Sequence, residues 1–305
     1  LRFVDFANRT IFFGPAERSA RVYPGSNFGT TSGNPINPQN LWYVNGNTNA
    51  GYIRVQFGEV YKSRIYFSGD NNYNGFSSRI WFSSIISSSG NISWTPGVDF
   101  VDINPADGEN ITALKRFSLE LLIFKPNYIY RFRTSGVDPD PLVRVGTRSQ
   151  ESIIEGKKGI YFHHDTGFYR YSGGYPEEIS RAISDVVDAV PFGNYGDIVS
   201  WKDSDHIYWS VGNMTLAMPK GNETWNNVVL RYTESSQVWT IYSYANEIRR
   251  GGPFITNSSS SIVVGLDNGV VTEFNKGFAD SGEPIKFRLV TKLYEWGGIE
   301  TEKFI

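Results

Sequence analysis

Apolar and polar residues alternate with period two along most of the chain, and the alternating runs come in pairs separated by short turn-forming stretches. Residues 117–132 (FSLELLIFKPNYIYRF), 159–171 (GIYFHHDTGFYRY), 226–244 (NNVVLRYTESSQVWTIYSY) and 262–274 (IVVGLDNGVVTEF) all have this form. A two-residue period places alternate side chains on opposite faces of a strand. Pro126-Asn127, Asp165-Thr166-Gly167, Glu234-Ser235-Ser236 and Asp267-Asn268-Gly269 supply the backbone angles of tight reversals. Each run is therefore predicted to be a β-hairpin. A lone hairpin cannot bury its apolar face, so repeated hairpins must stack around a shared core as a propeller, a sandwich or a solenoid. Dividing 305 residues by the ~40–50 of a propeller blade predicts an all-β propeller of six or seven blades, with a β-sandwich as the alternative.

Shorter strand-like runs fill the rest: 1–6, 10–13, 52–57, 64–67, 79–84, 111–114 and 285–294. No compositional break divides them, so 1–305 is expected to be a single propeller domain. A Gly/Pro/Asn/Ser-rich stretch, densest at 24–40, predicts a loop-rich arm over about 24–49. Terminal strands over about 285–305 are expected to lead to a missing segment, and the absence of an initiator Met points to a fragment or processed product. One segment changes period. Over 176–190 (PEEISRAISDVVDAV), Ile179, Ala182, Ile183, Val186, Val187 and Val190 form one helical stripe. Pro176 and Pro191 bound it, which predicts one inter-blade helix packed on the sheet assembly.

Composition narrows the chemistry. With 40% hydrophobic and 20% charged residues, the chain has material for a large core. No run approaches the ~20 apolar residues of a membrane-spanning helix, so membrane insertion is not expected. Zero Cys removes disulfides, thiolate metal sites and cysteine nucleophiles together. A net charge of −2 without charge blocks argues against sequence-specific nucleic-acid binding. The densest basic pieces, Arg249-Arg250, Lys157-Lys158 and Arg144 with Arg148, are read as solvated loop charges.

Each catalytic or metal template fails in turn. His163 and His164 are adjacent on a predicted strand and point to opposite faces, so they cannot chelate one ion together; His206 lacks a metal-ligand spacing. Asp70-Asn71-Asn72-Tyr73-Asn74-Gly75 matches half of a calcium loop, but Trp81 stands where its bidentate Glu belongs. The sialidase Asp-box is absent before Trp94 and Trp239. Carboxylate pairs for glycoside hydrolysis would come from Asp138, Asp140, Glu177, Glu178, Asp203 or Asp205, which are otherwise solvated loop acids. Six Asn-x-Ser/Thr triplets, at Asn8, Asn91, Asn110, Asn213, Asn222 and Asn257, are read as turn residues. The 18 Tyr, 21 Phe and 8 Trp recur mostly inside strands, where wide rings fill the gap between radiating sheets. The expectation is no catalytic residue, no metal and no cofactor.

The order of the pieces carries a resemblance. Arg64-Ile65-Tyr66-Phe67-Ser68 is followed by Arg79-Ile80-Trp81-Phe82-Ser83, then 107–114 (DGENITAL), Leu121-Leu122-Ile123-Phe124-Lys125 and Ile129-Tyr130-Arg131. Gly146-Thr147, 159–162 (GIYF), 165–174 (DTGFYRYSGG), Trp239-Thr240, 265–269 (GLDNG) and Pro284-Ile285 continue the series. This resembles the β-propeller of tail and head-to-tail connector proteins of tailed bacteriophages, of hub, nozzle or DNA-stabilisation type. The resemblance implies a structural protein of the virion. It would assemble with other phage tail or connector proteins, as a symmetric homo-oligomer, around the DNA conduit. The alternative is a carbohydrate-binding or glycan-hydrolysing propeller acting on cell-surface sugars.

Overall fold

In the computed structural model the backbone is described for residues 2–6, 9–13, 21–24, 39–40, 56–69, 77–83, 85, 98–133, 136–137, 141–218, 221–255, 260–276, 279–280, 283–284, 294–296 and 299–301. Side chains are described for 56–69, 77–83, 85, 98–133, 141–217, 221–255 and 260–276.

Successive strands build successive antiparallel sheets. The first holds β1 (Arg2–Phe6), β2 (Arg9–Phe13), β3 (Arg21–Pro24) and β4 (Gln39–Asn40). The second holds β5 (Phe57–Tyr61), β6 (Arg64–Ser68), β7 (Arg79–Phe82) and β8 (Phe100–Asp102). The third is β9 (Ala113–Phe117), β10 (Glu120–Phe124), β11 (Ile129–Arg133) and β12 (Gly136–Val137). The fourth is β13 (Ile154–Glu155), β14 (Ile160–His164), β15 (Gly167–Tyr171) and β16 (Glu177–Glu178). The fifth is β17 (Val199–Lys202), β18 (His206–Met218), β19 (Gly221–Thr233) and β20 (Val238–Ser243). The sixth is β21 (Ile248–Ile255), β22 (Ser260–Leu266) and β23 (Val271–Glu273). Two short pairs follow, β24 (Ala279–Asp280) with β25 (Glu283–Pro284) and β26 (Tyr294–Trp296) with β27 (Ile299–Thr301).

The first strands of neighbouring sheets lie beside one another: β1 by β5, β5 by β9, β13 by β17 and β17 by β21. Both faces of a sheet are buried. Leu121 and Ile123 of β10 pack with Tyr61 and Tyr66 of the second sheet, while Leu122 and Phe124 pack with Ile160 and Phe162 of the fourth. Ile207 and Trp209 of β18 pack on Tyr161 and Phe168 of the fourth sheet, and Tyr208 on Ile248 and Val264 of the sixth. A two-layer sandwich would bury one face of each sheet and solvate the other. Sheets with an inner first strand and a neighbour against each face are the blades of a β-propeller.

Local chemistry explains the individual blades. Tyr61 pairs with Arg64, leaving Lys62 and Ser63 as a two-residue turn with φ of 47° and 58°, the twist that antiparallel strands favour. Gly251 is required by packing, since a Cβ there would lie 2.5 Å from Cγ of Trp201. The four hairpins of the sequence reading are present, as β10–β11, β14–β15, β19–β20 and β22–β23.

Other expectations are corrected. The predicted helix over 176–190 is only the five-residue α1 (Ser184–Asp188), preceded by a 3-10 turn at Arg181–Ile183. Glu177 and Glu178 instead pair with Arg170 and Tyr169 as β16, and the buried Ser180 Oγ accepts from the Phe168 N–H at 3.0 Å. Ladder bonds claim the start of the segment, yet its apolar stripe still enters the core between the fourth and fifth blades. The strand expected at 111–114 runs over Ala113–Phe117. Pro24 and Gln39–Asn40 belong to strands of the first sheet rather than to a loop arm; 25–38 and 41–49 lie outside the described residues. So do 285–293 of the expected terminal strand.

Candidate functional site: polar seams and an open aromatic corner

The propeller places its buried charge at the seams between blades. Lys125 follows β10, and its side chain is fully buried. Its Nζ donates to both carboxylate oxygens of Asp107 at 2.7 and 2.8 Å, to the Asn104 carbonyl at 3.1 Å and to Ser78 Oγ at 3.2 Å. Tyr130 donates to Asp107 Oδ2 at 2.9 Å, and burial together with that carboxylate pushes its hydroxyl up to about 12. Burial lowers the Lys125 pKa against the pull of Asp107. The group ties the second blade to the third.

The next two seams repeat the idea with a carboxylate at the centre. Glu120 accepts from the Tyr171 hydroxyl and from Arg133, joining the third blade to the fourth. Glu234, buried at the β19–β20 turn, accepts from the backbone N–H groups of Lys157 and Lys158 at 2.8 and 3.2 Å and from the Tyr161 hydroxyl at 2.9 Å. It clamps the β13–β14 turn onto the fifth blade. Asp203 holds the next turn within its own blade. Burial opposes its charge, but N–H groups of Asp205 and His206 and the Tyr208 hydroxyl outweigh that and hold its pKa below the usual carboxylate value.

One corner is different. Arg148 pairs with both oxygens of Asp165, at the β14–β15 turn, with its Nη2 2.7 Å from Oδ2. That pairing raises its already high pKa. The guanidinium also lies 4.6 Å from the ring centroid of Phe192, which stands 64% exposed on the 3-10 turn Phe192–Asn194. Phe192 leans on Tyr195 at 5.3 Å, and Tyr195 covers the buried His163 ring at 4.7 Å. Phe192 thus presents a solvent-facing ring braced by an arginine from another segment.

Most residues singled out from sequence have places in the described structure. His163 and His164 occupy β14 and are both buried; His163 packs between Phe168 and Tyr195, while His164 Nδ1 accepts from the Gly146 N–H. His206 bonds Asp203 at 2.9 Å. Among the described residues no cluster of His, Cys, Asp and Glu has the arrangement to hold a metal ion. The acids read as solvated loop groups are engaged: Glu177 with Arg170, Glu178 with Arg181, Asp205 with Lys157 and Ser235, and Asp203 as above. The basic pieces are likewise paired, Arg249 with Glu247 and Arg250 with Glu151. Asn213 and Asn222, read as turn residues, lie inside β18 and β19. Asp138, Asp140 and the 70–75 stretch lie outside the described residues. Sequence reasoning missed Phe192 as a candidate. Its one signal is an aromatic directly after Pro191, outside any alternating run.

No family model matches the chain, and no curated protein matches it. Among solved structures it is similar to the extracellular domain of the one-component system BT4673 of Bacteroides thetaiotaomicron, at 13% identity and a TM-score of 0.51. That likeness covers 95% of this chain and 33% of the other, so the chain spans about a third of that structure's length. A computationally designed protein, Ika8, matches at 10% identity over 89% of this chain and 69% of its own, with a TM-score of 0.48. The WD40 domain of Neurospora crassa Pan2 matches at 12% identity over 61% of this chain and 50% of its own, with a TM-score of 0.34. At such identities the likeness concerns the fold alone.

Proposed function

We propose that this chain is a non-catalytic assembly propeller, a structural protein of a phage tail or head-to-tail connector that docks other virion proteins around the DNA conduit. The observation that carries the assembly reading is the corner at Phe192. An exposed ring braced by Arg148 offers a partner an apolar surface at low ordering cost, because the side chains are already held. The described acids that glycoside hydrolysis would draw on are engaged in ion pairs and turn bonds, which favours this reading over the sugar-acting one. The placement in a phage tail rests on the resemblance in the ordered strand and turn motifs. A chain of net charge −2 would line a conduit without gripping the passing DNA.

The test is a phage whose genome lacks this coding segment, imaged by electron microscopy. The expected result is particles without a complete tail or with leaking heads, and tail proteins that bind the purified chain but bind Phe192→Ala more weakly. Normal particles, or tight binding or cleavage of a defined glycan by the purified chain, would overturn the reading.

A further inference from the structure

The outermost strand of a blade presents one row of unpaired backbone groups, and folded proteins usually blunt such an edge by shortness or charge. Among the described residues, the outermost strands of three blades do so: β8 has three residues ending in Asp102, β16 is Glu177 and Glu178, and β23 has three residues ending in Glu273. The fifth blade breaks the rule. β20 is six residues long, Val238-Trp239-Thr240-Ile241-Tyr242-Ser243, with no charge and no Pro. Its inner edge pairs with β19 from Val228↔Ser243 to Thr233↔Val238, and among the described residues no strand pairs its outer edge.

Two side chains of the edge are anchored. Trp239 Nε1 donates to the carbonyl of Ile179, in the segment after the fourth blade, at 2.9 Å, and Thr240 Oγ1 accepts from Arg231 of β19 at 3.0 Å. Val238 is 53% exposed, and Ser243 is exposed at the other end. A partner strand would meet a preorganised template.

We propose that β20 pairs with β20 of a second copy of this chain, antiparallel about a two-fold axis, joining two fifth blades into one continuous sheet. A two-fold antiparallel contact sets each residue of the strand against its symmetry mate in the other copy, so a strand made of like charges repels its own copy. β20 carries no charge, whereas β16, made of Glu177 and Glu178, would set acid against acid. An antiparallel edge is also self-complementary, since each copy offers the same alternation of N–H and C=O. The inference goes beyond the tail reading and stands separately from it. A strictly monomeric chain that still binds tail proteins would refute this inference alone.

Sedimentation equilibrium of the full chain tests it, together with amide hydrogen exchange at low and high protein concentration. A concentration-dependent dimer is expected, with the amides of 238–243 gaining protection as the dimer forms. Val238→Lys, at an exposed position, places a charge on the edge and should weaken the dimer by about tenfold or more while the monomer keeps its thermal midpoint. If Val238→Lys fails to fold, the exchange map of the unaltered chain decides the matter. A monomer at every concentration, or a dimer whose protection appears elsewhere, would overturn the proposal.

Discussion

Replacing His163 by Phe should remove about one proton's worth of acid sensitivity from the stability of this protein. The ring of His163 lies 5.0 Å from that of Phe168 and 4.7 Å from that of Tyr195, and its Nε2 has no hydrogen-bond partner. Burial brings its pKa down to about 3 against the opposing attraction of Asp165, and His164 adds slightly to the fall. In the unfolded chain the same imidazole titrates near 6.5. Below that pH the unfolded state takes up a proton that the native state refuses. Stability is therefore fully present above about 6.5 and drains away as pH falls towards 3, at about 1.4 kcal/mol per pH unit. Between pH 7 and pH 5 the loss from this one group amounts to about 2 kcal/mol. Other groups titrate in parallel: burial also lowers His164, and burial raises Glu247, which works in the opposite sense. The informative quantity is thus the difference between parent and His163→Phe. Urea unfolding at pH 7, 6 and 5, with free energies extrapolated to water, should give a parent curve that falls about 2 kcal/mol further than the variant's. Parallel curves would refute the reasoning, because they would mean that His163 is protonated or solvated in the native state.

Lys125→Met should destabilise the protein by about 3–5 kcal/mol by leaving the Asp107 carboxylate buried without its cation, and adding Asp107→Leu should recover part of the loss; chemical denaturation of the two variants checks both signs. Glu234→Ala strips two backbone N–H groups and the Tyr161 hydroxyl of their acceptor, so a loss of about 2–4 kcal/mol is expected, with faster amide exchange at Lys157 and Lys158. Gly251→Ala drives a methyl into Trp201 and should cost about 1–3 kcal/mol, read as a lower thermal midpoint together with a shift in tryptophan fluorescence. Lys276→Ala, which breaks an exposed ion pair with Glu273, should change stability by less than about 1 kcal/mol in the same assay.

The amino-acid sequence by itself determined the strands, most of their turns and the repeat, because these are local matters. Alternation with period two marks a strand, and Pro126-Asn127 and Asp165-Thr166-Gly167 reverse the chain where their turn chemistry predicts. The burial of both faces of β10 and β18 was foreshadowed by side chains such as Leu121-Leu122-Ile123-Phe124, apolar at consecutive positions. Where a segment had two uses, only the tertiary structure chose. Glu177 and Glu178 read as a helix start, and the free edge of β15 overrode that reading by offering ladder bonds that an isolated helical turn could not match. The partners of charged groups were beyond reach for the same reason. Lys125 meets Asp107 across 18 positions and Lys157 and Tyr161 meet Glu234 across more than 70, distances at which a sequence carries no record of who stands opposite whom. Asp107, Glu120 and Glu234 thus became the clamps between blades, and Phe192, one phenylalanine among 21, acquired its exposure and its arginine only from tertiary packing.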